Sequence, residues 1–346
     1  MAPERDPGAD LRRIAFLLEA ASEPSYRVRA FRGAAATVAR LDVRELHDRA
    51  RHGTLHELPG IGEVLERTIA ESLRGEEPVY LRRLEATGGR PVAEGAGELL
   101  AALRGDCHVH SDWSDGRSPI REMAESARDL GHEYMVLTDH SPRLRVANGL
   151  SAARLRDQLE EVATLNAELA PFRILTGIEV DIEPDGSLDQ EPELLARLDV
   201  VVGSVHSELR MDGRFMTRRL VTALANPHLD ILGHVTGRMV TGKRRRPPSA
   251  FDPEIVFAAA LRFDKAVEIN SRPERLDPPK RLLRLAVESG CRFSIDSDAH
   301  APGQLAWLPN GCERAFLCGI EPQMVVNAGS AETLVTWARG HDGGTG

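Results

Sequence analysis

The sequence predicts an α/β protein in which a barrel of seven β-strand/α-helix units follows a small all-α domain. From about Gly105 onward, short apolar runs alternate with helical stretches at intervals of roughly 25 to 40 residues, as in βα units. Before that point, residues 11–86 show helical periodicity. Seven strands in one parallel sheet favour a closed barrel, one unit short of the usual eight.

The composition is that of a globular protein without an expected membrane segment. Hydrophobic residues make up 42% of the 346 residues, enough for a sizeable core. No apolar run reaches the roughly 18 residues of a membrane span, and the N-terminus lacks the apolar region of a signal peptide. The four cysteines form no CxxC pair, which indicates free thiols of a cytoplasmic protein. The net charge of −9 gives no general attraction to nucleic acid.

The first domain is expected over 11–86, between a flexible tail, 1–10, and a linker, 87–104. Within it, the stretch LHELPGIGEVLERTIAESL is a helix, a glycine turn and a second helix. This is the pattern of a helix-hairpin-helix. Its glycines, Gly60 and Gly62, let backbone amides approach a nucleic-acid phosphate, although an ordinary helical hairpin has the same outline.

The second domain is expected over 105–337, followed by a tail, 338–346. Its seven predicted strands are 106–110, 134–139, 172–180, 198–205, 229–235, 265–270 and 292–298. Three pairs, Ser118-Pro119, Asp252-Pro253 and Asp277-Pro278, each offer a helix cap followed by proline at the first helical position.

The ends of these predicted strands carry most of the polar residues that point to chemistry. In chain order they are His108, His110, Asp115, His140, Glu179, His206, His234, Asn270, Asp298 and His300. Any one of these histidines alone is most often an ordinary hydrogen-bonded residue. Six of the twelve histidines of the chain meet three carboxylates here, however, and so many titratable groups at one rim are costly without a counter-charge. The pattern therefore predicts a metal site.

The ligand types restrict the metal and its chemistry. Imidazole and carboxylate without thiolate suit manganese, zinc or iron. Nine ligands exceed the needs of one ion, so two or three divalent ions are expected. Several ions around a bridging hydroxide favour hydrolysis at phosphorus, because they activate the nucleophile and stabilise the leaving oxygen.

The sequence resembles the polymerase and histidinol phosphatase (PHP) superfamily over about 105–337. The motifs that carry the resemblance are GDCHVHSDWSDG, LTDHS, TGIEVDI, GSVHS, GHVTGR, EINSRPERLD and DSDAH. The resemblance implies a distorted seven-unit TIM-like barrel, the PHP fold, with a trinuclear site. The first ion would use His108, His110, Glu179 and Asp298. The second would use His206 and His234, with Glu179 bridging. The third would use Asp115, His140 and His300.

Two of these motifs, GHVTGR and EINSRPERLD, look most like the C-terminal nuclease module of bacterial family X DNA polymerases. Arg238 would hold a substrate phosphate through its planar fork, or it is a buried structural arginine. The candidate catalytic residues are Arg238, Asp298 and His300. Arg275 and Asn270 are further candidates for phosphate binding or for purely structural roles. The basic loop 242–248 is either a nucleic-acid contact or a solvated charge run.

The first domain resembles the N-terminal domain of the same polymerases. Arg27, Arg29 and Arg32 precede the hairpin and would add phosphate contacts to those of Gly60 and Gly62. Arginines and acidic residues nearly balance in 1–104, so DNA affinity is expected to be modest and salt-sensitive. The same stretch contains no lysine for Schiff-base lyase chemistry, and the short segment before the barrel has no room for a polymerase domain.

The predicted function is that of a cytoplasmic, metal-dependent phosphoesterase in DNA repair. It would act on 3′ ends as a 3′–5′ exonuclease, a 3′-phosphatase or both, with a metal-bridging hydroxide as the nucleophile. Its partner would be DNA, bound through phosphates without sequence preference, and no membrane contact is expected. One alternative is a small-molecule phosphatase of the histidinol-phosphatase type, acting on a small phosphate ester. The other is a non-catalytic DNA-binding scaffold whose metal is structural.

Overall fold

The computed structural model describes residues 5–87, 94–242 and 245–341. The chain divides into two compact units, Met1–Pro91 and Val92–Gly346. Among the described residues, no helix combines the length and the apolar character needed to cross a lipid bilayer. Parts of four predicted segments lie outside the described residues: 1–4 and 342–346 of the tails, 88–93 of the linker, and Lys243 and Arg244 of the basic loop.

The described part of the first unit is all helical. In chain order its elements are α1 (Pro7–Ala20), α2 (Ser25–Ala39), α3 (Val43–His52), a 3-10 turn (Leu55–Glu57), α4 (Glu63–Leu73) and α5 (Val79–Thr87). Their apolar faces share one core, in which Leu11, Ile14 and Ile69 of the predicted periodicity are fully buried. This packing is what stabilises helices of such length, because they are marginal in isolation.

Helix α1 begins at Pro7, inside the stretch expected to be a flexible tail. Asp6 caps the helix by accepting a hydrogen bond from Gly8 N at 2.8 Å, and proline is favoured at the first helical position. Asp10 accepts hydrogen bonds from Arg5 Nη2 and from Ser72 Oγ, both at 2.7 Å. The polar composition suggested a tail, whereas the cap and these buried contacts order the segment.

The second unit is a nearly closed barrel of parallel strands. In chain order they are β1 (Gly105–Val109), β2 (Tyr134–Leu137), β3 (Arg173–Asp181), β4 (Val200–Ser204), β5 (Ile231–Leu232), β6 (Ala266–Asn270) and β7 (Arg292–Asp296). Each strand pairs with the next along the chain. The seam between β1 and β7 is narrow. It includes a parallel bridge between Val109 and Ala299, a hydrogen bond of 2.9 Å from Cys107 N to Asp296 Oδ1, and hydrogen bonds from Ser297 to Asp106.

Helices surround this sheet, as predicted. In chain order they are α6 (Glu94–Ala102), α7 (Ile120–Asp129), α8 (Ala152–Leu169), α9 (Pro192–Leu195), α10 (Gly213–Leu224), α11 (Pro253–Arg262), α12 (Lys280–Glu288), α13 (Leu308–Phe316) and α14 (Ala331–Arg339). Most strand residues are buried, whichever face they lie on, and Val200, Val201 and Val202 of β4 are a run of three buried apolar residues. Such runs are typical of parallel strands covered by helices on one side and by the barrel interior on the other.

Helix α6 lies within the stretch expected to be a linker. Ala96, Leu99 and Leu103 recur at helical spacing and are buried in the core of the second unit. Gly95 packs so closely on the ring of Phe316 that a Cβ atom there would lie 2.0 Å from the ring. Gly95, one of the glycines of the predicted linker, is therefore required by the close contact between α6 and α13.

One of the predicted helix caps, Asp252, is confirmed, and another, Asp277, is wrong. Asp252 caps α11 as predicted and accepts hydrogen bonds from Glu254 N and Ile255 N. Asp277 caps no helix, because α12 begins at Lys280. Its buried carboxylate accepts hydrogen bonds from Thr236 N and from the hydroxyl of Thr236, and so fastens the loop after β5.

Candidate metal centre

The strands bring all nine predicted metal ligands to one edge of the barrel. Two of them, His108 and Glu179, lie inside β1 and β3, and the other seven follow a strand within a few residues. These seven are His110 and Asp115 after β1, His140 after β2, His206 after β4, His234 after β5, and Asp298 and His300 after β7. Because the strands are parallel, their C-terminal ends share one rim, and the side chains converge there.

Glu179 lies at the centre of the cluster, and its side chain is only 1% exposed. Five histidine rings face its two carboxylate oxygens: His234 (2.9 Å) and His206 (3.3 Å) at Oε1, and His140 (2.9 Å), His108 (3.3 Å) and His110 (3.6 Å) at Oε2. One carboxylate on β3 thus lies between histidines from four other strands, β1, β2, β4 and β5.

A second group lies where the cluster meets solvent. The side chain of Asp115 is 39% exposed, and its Oδ1 lies 3.3 Å from His300 Nε2 and 3.5 Å from His140 Nε2. The rings of His110 and His300 lie 4.1 Å apart, centroid to centroid. Asp298 Oδ1 lies 3.5 Å from His300 Nδ1 and 3.7 Å from His110 Nε2. The partly exposed carboxylate of Asp115 could therefore act as a ligand of a cation at this edge of the cluster.

Unpaired buried nitrogen atoms show that this cluster fits divalent cations. Within the described part of the chain, Nε2 of His108, of His110 and of His206 is buried and has no hydrogen-bond partner. A buried polar atom left unpaired costs about 1–3 kcal/mol, whereas an imidazole lone pair is a usual ligand of divalent metals.

Three sets of donor atoms lie close enough together to share an ion. Within each set, the donor atoms are no more than 4.8 Å apart. The sets are His108, His110 and Glu179; His140, Glu179 and His206; and His110, Asp115, His140 and His300. The third set contains every ligand predicted for the third ion, and the first contains three of the four predicted for the first ion. The cluster can therefore hold metal ions.

Charge around the cluster keeps its carboxylates ionised. Burial alone would raise the pKa of Asp298, but the guanidinium groups of Arg272 and Arg275 outweigh it and hold that pKa well below its usual range. Burial would likewise raise the pKa of Glu179, and the surrounding histidines, His108 foremost, lower it well below its usual range. Ionised carboxylates are the state that binds cations.

The same surroundings keep His110 neutral. Burial lowers the pKa of its ring, and the neighbouring rings of His300 and His140 lower it further, so that it lies well below the ordinary histidine value. A neutral imidazole has a free lone pair for a metal ion, whereas a protonated imidazole has none.

Comparison with known proteins assigns both units to families. A family model described as PHP domain matches residues 106–271, and one described as helix-hairpin-helix domain matches residues 6–77. The chain carries a PHP domain. The match to that model ends before β7, so Asp298 and His300 of the cluster lie outside it.

The relatives of this chain include one protein named as a DNA polymerase and 3'-5' exonuclease and several named as probable phosphatases. The "DNA polymerase/3'-5' exonuclease PolX" of Bacillus subtilis (strain 168) is 41% identical over 70% of this chain. The chain spans only 42% of that protein's length. A "Probable phosphatase" of Thermoanaerobacter sp. (strain X514) is 28% identical over 64% of this chain and 89% of its own. The predicted enzyme class, a metal-dependent phosphoesterase, is confirmed at this level.

A solved structure also matches the chain. It is the histidinol phosphate phosphatase of Lactococcus lactis subsp. lactis Il1403, described as complexed with zinc, L-histidinol and phosphate. The two share 18% sequence identity with a TM-score of 0.46, over 63% of this chain and 95% of that one.

The contacts of Arg238 agree with the structural alternative predicted for it. Its guanidinium donates from Nε to the carbonyl of Arg275 at 3.0 Å and from Nη2 to the carbonyl of Leu276. It is therefore occupied in supporting the loop after β6 of the PHP domain. Two of its three guanidinium nitrogen atoms, Nε and Nη2, thus donate to backbone carbonyls.

Two other arginines of the PHP domain contact the cluster. Arg275 Nε lies 3.0 Å from Asp298 Oδ2, and Arg272 Nη1 lies 3.5 Å from Asp298 Oδ1. Arg272 Nη1 also lies 3.4 Å from Nδ1 of His300. Both residues belong to the EINSRPERLD motif, which the sequence analysis singled out, although it gave the catalytic role to Arg238.

Two buried carboxylates behind the predicted ligands were not among the predicted site residues. Glu268 Oε1 lies 2.6 Å from Nδ1 of His108, and Asp181 accepts a hydrogen bond of 3.0 Å from the backbone N of His206. Both acids occupy strands that are otherwise mostly apolar, β6 and β3. An acidic residue inside a strand buried on both faces is the sequence signal that marks them, because such a group needs a partner.

The helix-hairpin-helix residues have the predicted backbone but partly engaged side chains. Gly60, with a φ of +81°, and Gly62 form the turn before α4. Arg27 pairs with Glu23 at 2.5 Å and donates to the Tyr80 hydroxyl, and Arg32 pairs with Glu19. Arg29 is exposed.

Proposed function

We propose that this chain hydrolyses phosphate esters at the 3′ ends of DNA, as a 3′–5′ exonuclease, a 3′-phosphatase or both. One observation carries the proposal: nine side chains of metal-ligating type converge in the same chain as a helix-hairpin-helix domain, and seven of them fall into the three sets of donor atoms that lie close enough to share an ion. The aligned relative named as a 3'-5' exonuclease supports the choice of DNA. Because the chain spans less than half of that relative, only the exonuclease part of its name enters the proposal.

The residues of the cluster divide into metal ligands and phosphate contacts in this proposal. The nine ligands hold two or three divalent ions, and bound ions of this kind assist attack by water at phosphorus and stabilise the leaving oxygen. Arg272 and Arg275, rather than Arg238, supply fixed positive charge for the phosphate of the substrate. Asp298 and His300 connect these arginines to the ligand set.

The DNA-binding part of the proposal rests on the hairpin. The N-terminus of α4 is exposed, so its backbone amides are accessible to a phosphate. Gly60 and Gly62 leave room for that phosphate, since a Cβ atom on either residue would have no other atom within 4 Å. The exposed Arg29 adds charge. Arg27 and Arg32 contribute only by exchanging their present acidic partners for phosphates.

Removal of single ligands tests the metal centre. We expect His108→Ala and Asp298→Ala to abolish turnover of a 3′-phosphate oligonucleotide and of a 3′-labelled oligonucleotide in manganese buffer, since each loses a donor from the buried cluster. Asp230→Asn is a matched control, because Asp230 is buried just before β5, at the opposite end of the strand from His234. Full turnover by His108→Ala loaded with manganese would refute the proposed centre.

A specific observation favours a second candidate, a small-molecule phosphatase. A groove of about 760 Å³ next to the loop after β2 is lined by Glu183, Asp185, Asp189 and Glu191, with Arg143 as its only basic lining residue in the described structure. Such an acidic wall opposes a polyanion and suits a small ester with a cationic group. The relative named as a probable phosphatase is covered over 89% of its length.

A direct comparison of substrates separates the two candidates. The protein, purified with manganese, is given a 3′-labelled oligonucleotide, a 3′-phosphate oligonucleotide and histidinol phosphate under one set of conditions. We expect the highest kcat/KM with an oligonucleotide. A higher value with histidinol phosphate would favour the small-molecule phosphatase. Bound metal without turnover of any of the three esters would favour a non-catalytic scaffold.

A further inference from the structure

Glu268 is a buried acid of the barrel interior that is not itself in any of the three ligand sets. It lies in β6 and is 0% exposed. Its Oε1 accepts a hydrogen bond from Nδ1 of His108 at 2.6 Å, and its Oε2 accepts one from the backbone N of His234. Asn270 Nδ2 adds a longer contact to Oε2, at 3.3 Å. One carboxylate therefore contacts groups from three strands.

The contact with His108 sets the orientation of its ring. With Nδ1 donating to Glu268, the ring cannot rotate about its Cβ–Cγ bond without losing a buried hydrogen bond. Its other nitrogen, Nε2, then faces Glu179 at 3.3 Å, and once this nitrogen gives up its proton it presents its lone pair to the ligand cluster. A carboxylate behind a histidine in this way fixes the tautomer that binds metal through Nε2.

The contact with His234 acts on the backbone. His234 has a φ of +20°, an uncommon conformation for a residue with a side chain, and it follows the very short strand β5. The hydrogen bond from its N–H to Glu268 holds the chain at this bend. The bend in turn places His234 Nε2 2.9 Å from Glu179 Oε1.

From these contacts we propose that Glu268 is a positioning residue that sets two metal ligands, the ring of His108 and the backbone of His234, with one carboxylate. The proposal rests on the proposed metal centre. It assigns Glu268 no contact with substrate. Its consequence is that the affinity of the site for metal depends on both oxygens of Glu268 accepting at once.

The substitution Glu268→Gln tests this dependence with almost no change in volume. A carboxylate accepts at both oxygens, whereas an amide accepts at one atom and donates at the other. In E268Q, either His108 Nδ1–H or His234 N–H must face an NH₂ group, so one of the two ligands loses its support. Loss of such a partner typically weakens metal affinity about 10- to 100-fold.

The measurement is manganese affinity by equilibrium dialysis and elemental analysis, together with the melting temperature in chelator. We expect E268Q to bind at least one Mn²⁺ about 10- to 100-fold more weakly than the wild type. The matched control is Asp230→Asn, whose carboxylate accepts from Val201 N at 2.8 Å and from His341 away from the ligands. D230N should lower the melting temperature in chelator and leave manganese affinity unchanged.

Glu268→Asp is the second variant and decides the matter should E268Q not fold. It keeps two accepting oxygens on a shorter side chain, so we expect a smaller loss of manganese affinity than in E268Q, about three- to tenfold. The positioning role is refuted if E268D binds manganese as tightly as the wild type and E268Q, where it folds, does so too. This holds whatever the melting temperatures of the two variants in chelator. Absence of manganese binding by the wild type would instead refute the proposed function, so the two failures are distinguishable.

Discussion

Arg238 and Arg275 illustrate, at the scale of single residues, why a motif alone does not assign roles. Both guanidinium groups belong to motifs at the metal-binding rim, and both have a planar fork suited to phosphate. Arg238 uses its nitrogen atoms on two backbone carbonyls, whereas Arg275 lies against the carboxylate of Asp298. The difference is set by the path of the loop after β6, which sequence patterns do not contain.

Loss of the Arg275 charge is expected to impair catalysis. Arg275→Gln should lower kcat/KM for a 3′-phosphate oligonucleotide by roughly 100-fold, because a fixed donor to the phosphoryl group is removed. Arg275→Lys keeps the charge without the fork and should recover part of the loss. Initial rates at several substrate concentrations measure both. Equal kcat/KM for R275Q and the wild type would remove Arg275 from the proposed phosphate contacts.

His132, in the turn between α7 and β2, makes the stability of the barrel depend on pH. Burial lowers the pKa of its ring from 6.5 to about 4. Between these two values the unfolded chain binds a proton that the folded chain does not bind. The free energy of unfolding therefore falls as pH decreases through this window. We expect proton uptake by His132 to lower the free energy of unfolding by about 2 kcal/mol as the pH falls from about 7.5 to about 4.5.

The test compares the wild type with His132→Gln, which cannot take up the proton. Urea unfolding in chelator is followed by tryptophan fluorescence, which reports on the barrel unit because Trp113, Trp307 and Trp337 all lie in it. The decrease in the free energy of unfolding on acidification should be smaller by about 2 kcal/mol in H132Q than in the wild type. An identical acid-induced loss in H132Q and the wild type would contradict the assignment.

At the scale of elements, the glycine turn before α4 carries the expected contact with DNA. Gly60→Glu adds a negative charge and strain at a position with a φ of +81° and open space around it. We expect DNA affinity to fall about tenfold, or about 1.4 kcal/mol, and the salt dependence to change with it. Turnover of a small phosphate ester should be unaffected. Fluorescence anisotropy at two salt concentrations measures the affinity.

Gly53→Glu is the matched control for this variant. Gly53 also has a positive φ, +66°, and open space, but it ends α3 and does not precede α4. The substitution therefore introduces similar strain and the same charge away from the predicted phosphate contact. Equal losses of DNA affinity in G53E and G60E would point to general charge repulsion in place of a specific turn.

The elements that sequence patterns predicted well are those with a strong period or a strong cap. The apolar repeats of α1 and α4 and the seven strands are in the structure, and Asp252 caps α11 as predicted. The patterns failed where tertiary contacts decide. Helix α6 forms around small residues, and the strand expected over 229–235 shrinks to Ile231–Leu232 because the chain bends at His234.

The convergence of the site was predictable for the same reason, since position along a strand determines which rim a residue reaches. The nine ligands follow from strand ends alone. Their supporting partners do not, because Glu268 and Asp181 are recognisable only once the strand neighbours are known. The contacts of Arg238 could not be predicted either, because they depend on the path of a loop, and a loop has no periodic sequence signal.

At the scale of the whole molecule, removal of metal should destabilise the barrel unit. Ions that bind only the folded state at about 100 times their dissociation constant contribute about 2.7 kcal/mol. For a unit of this size we expect chelator to lower the melting temperature by about 5–10 °C relative to manganese buffer. Thermal melts followed by tryptophan fluorescence measure the shift. His108→Ala should show a clearly smaller shift than the wild type, and an equal one would contradict the model.

The narrow seam between β1 and β7 has a consequence for biosynthesis. Donor groups at residues 108 and 110 leave the ribosome early, while those at 298 and 300 emerge almost 200 residues later. A nascent chain therefore carries an incomplete set of donors through most of its translation. A product that ends before β7 lacks Asp298 and His300, so we expect it to be hydrolytically inert and expect the complete activity only in chains translated past the last strand.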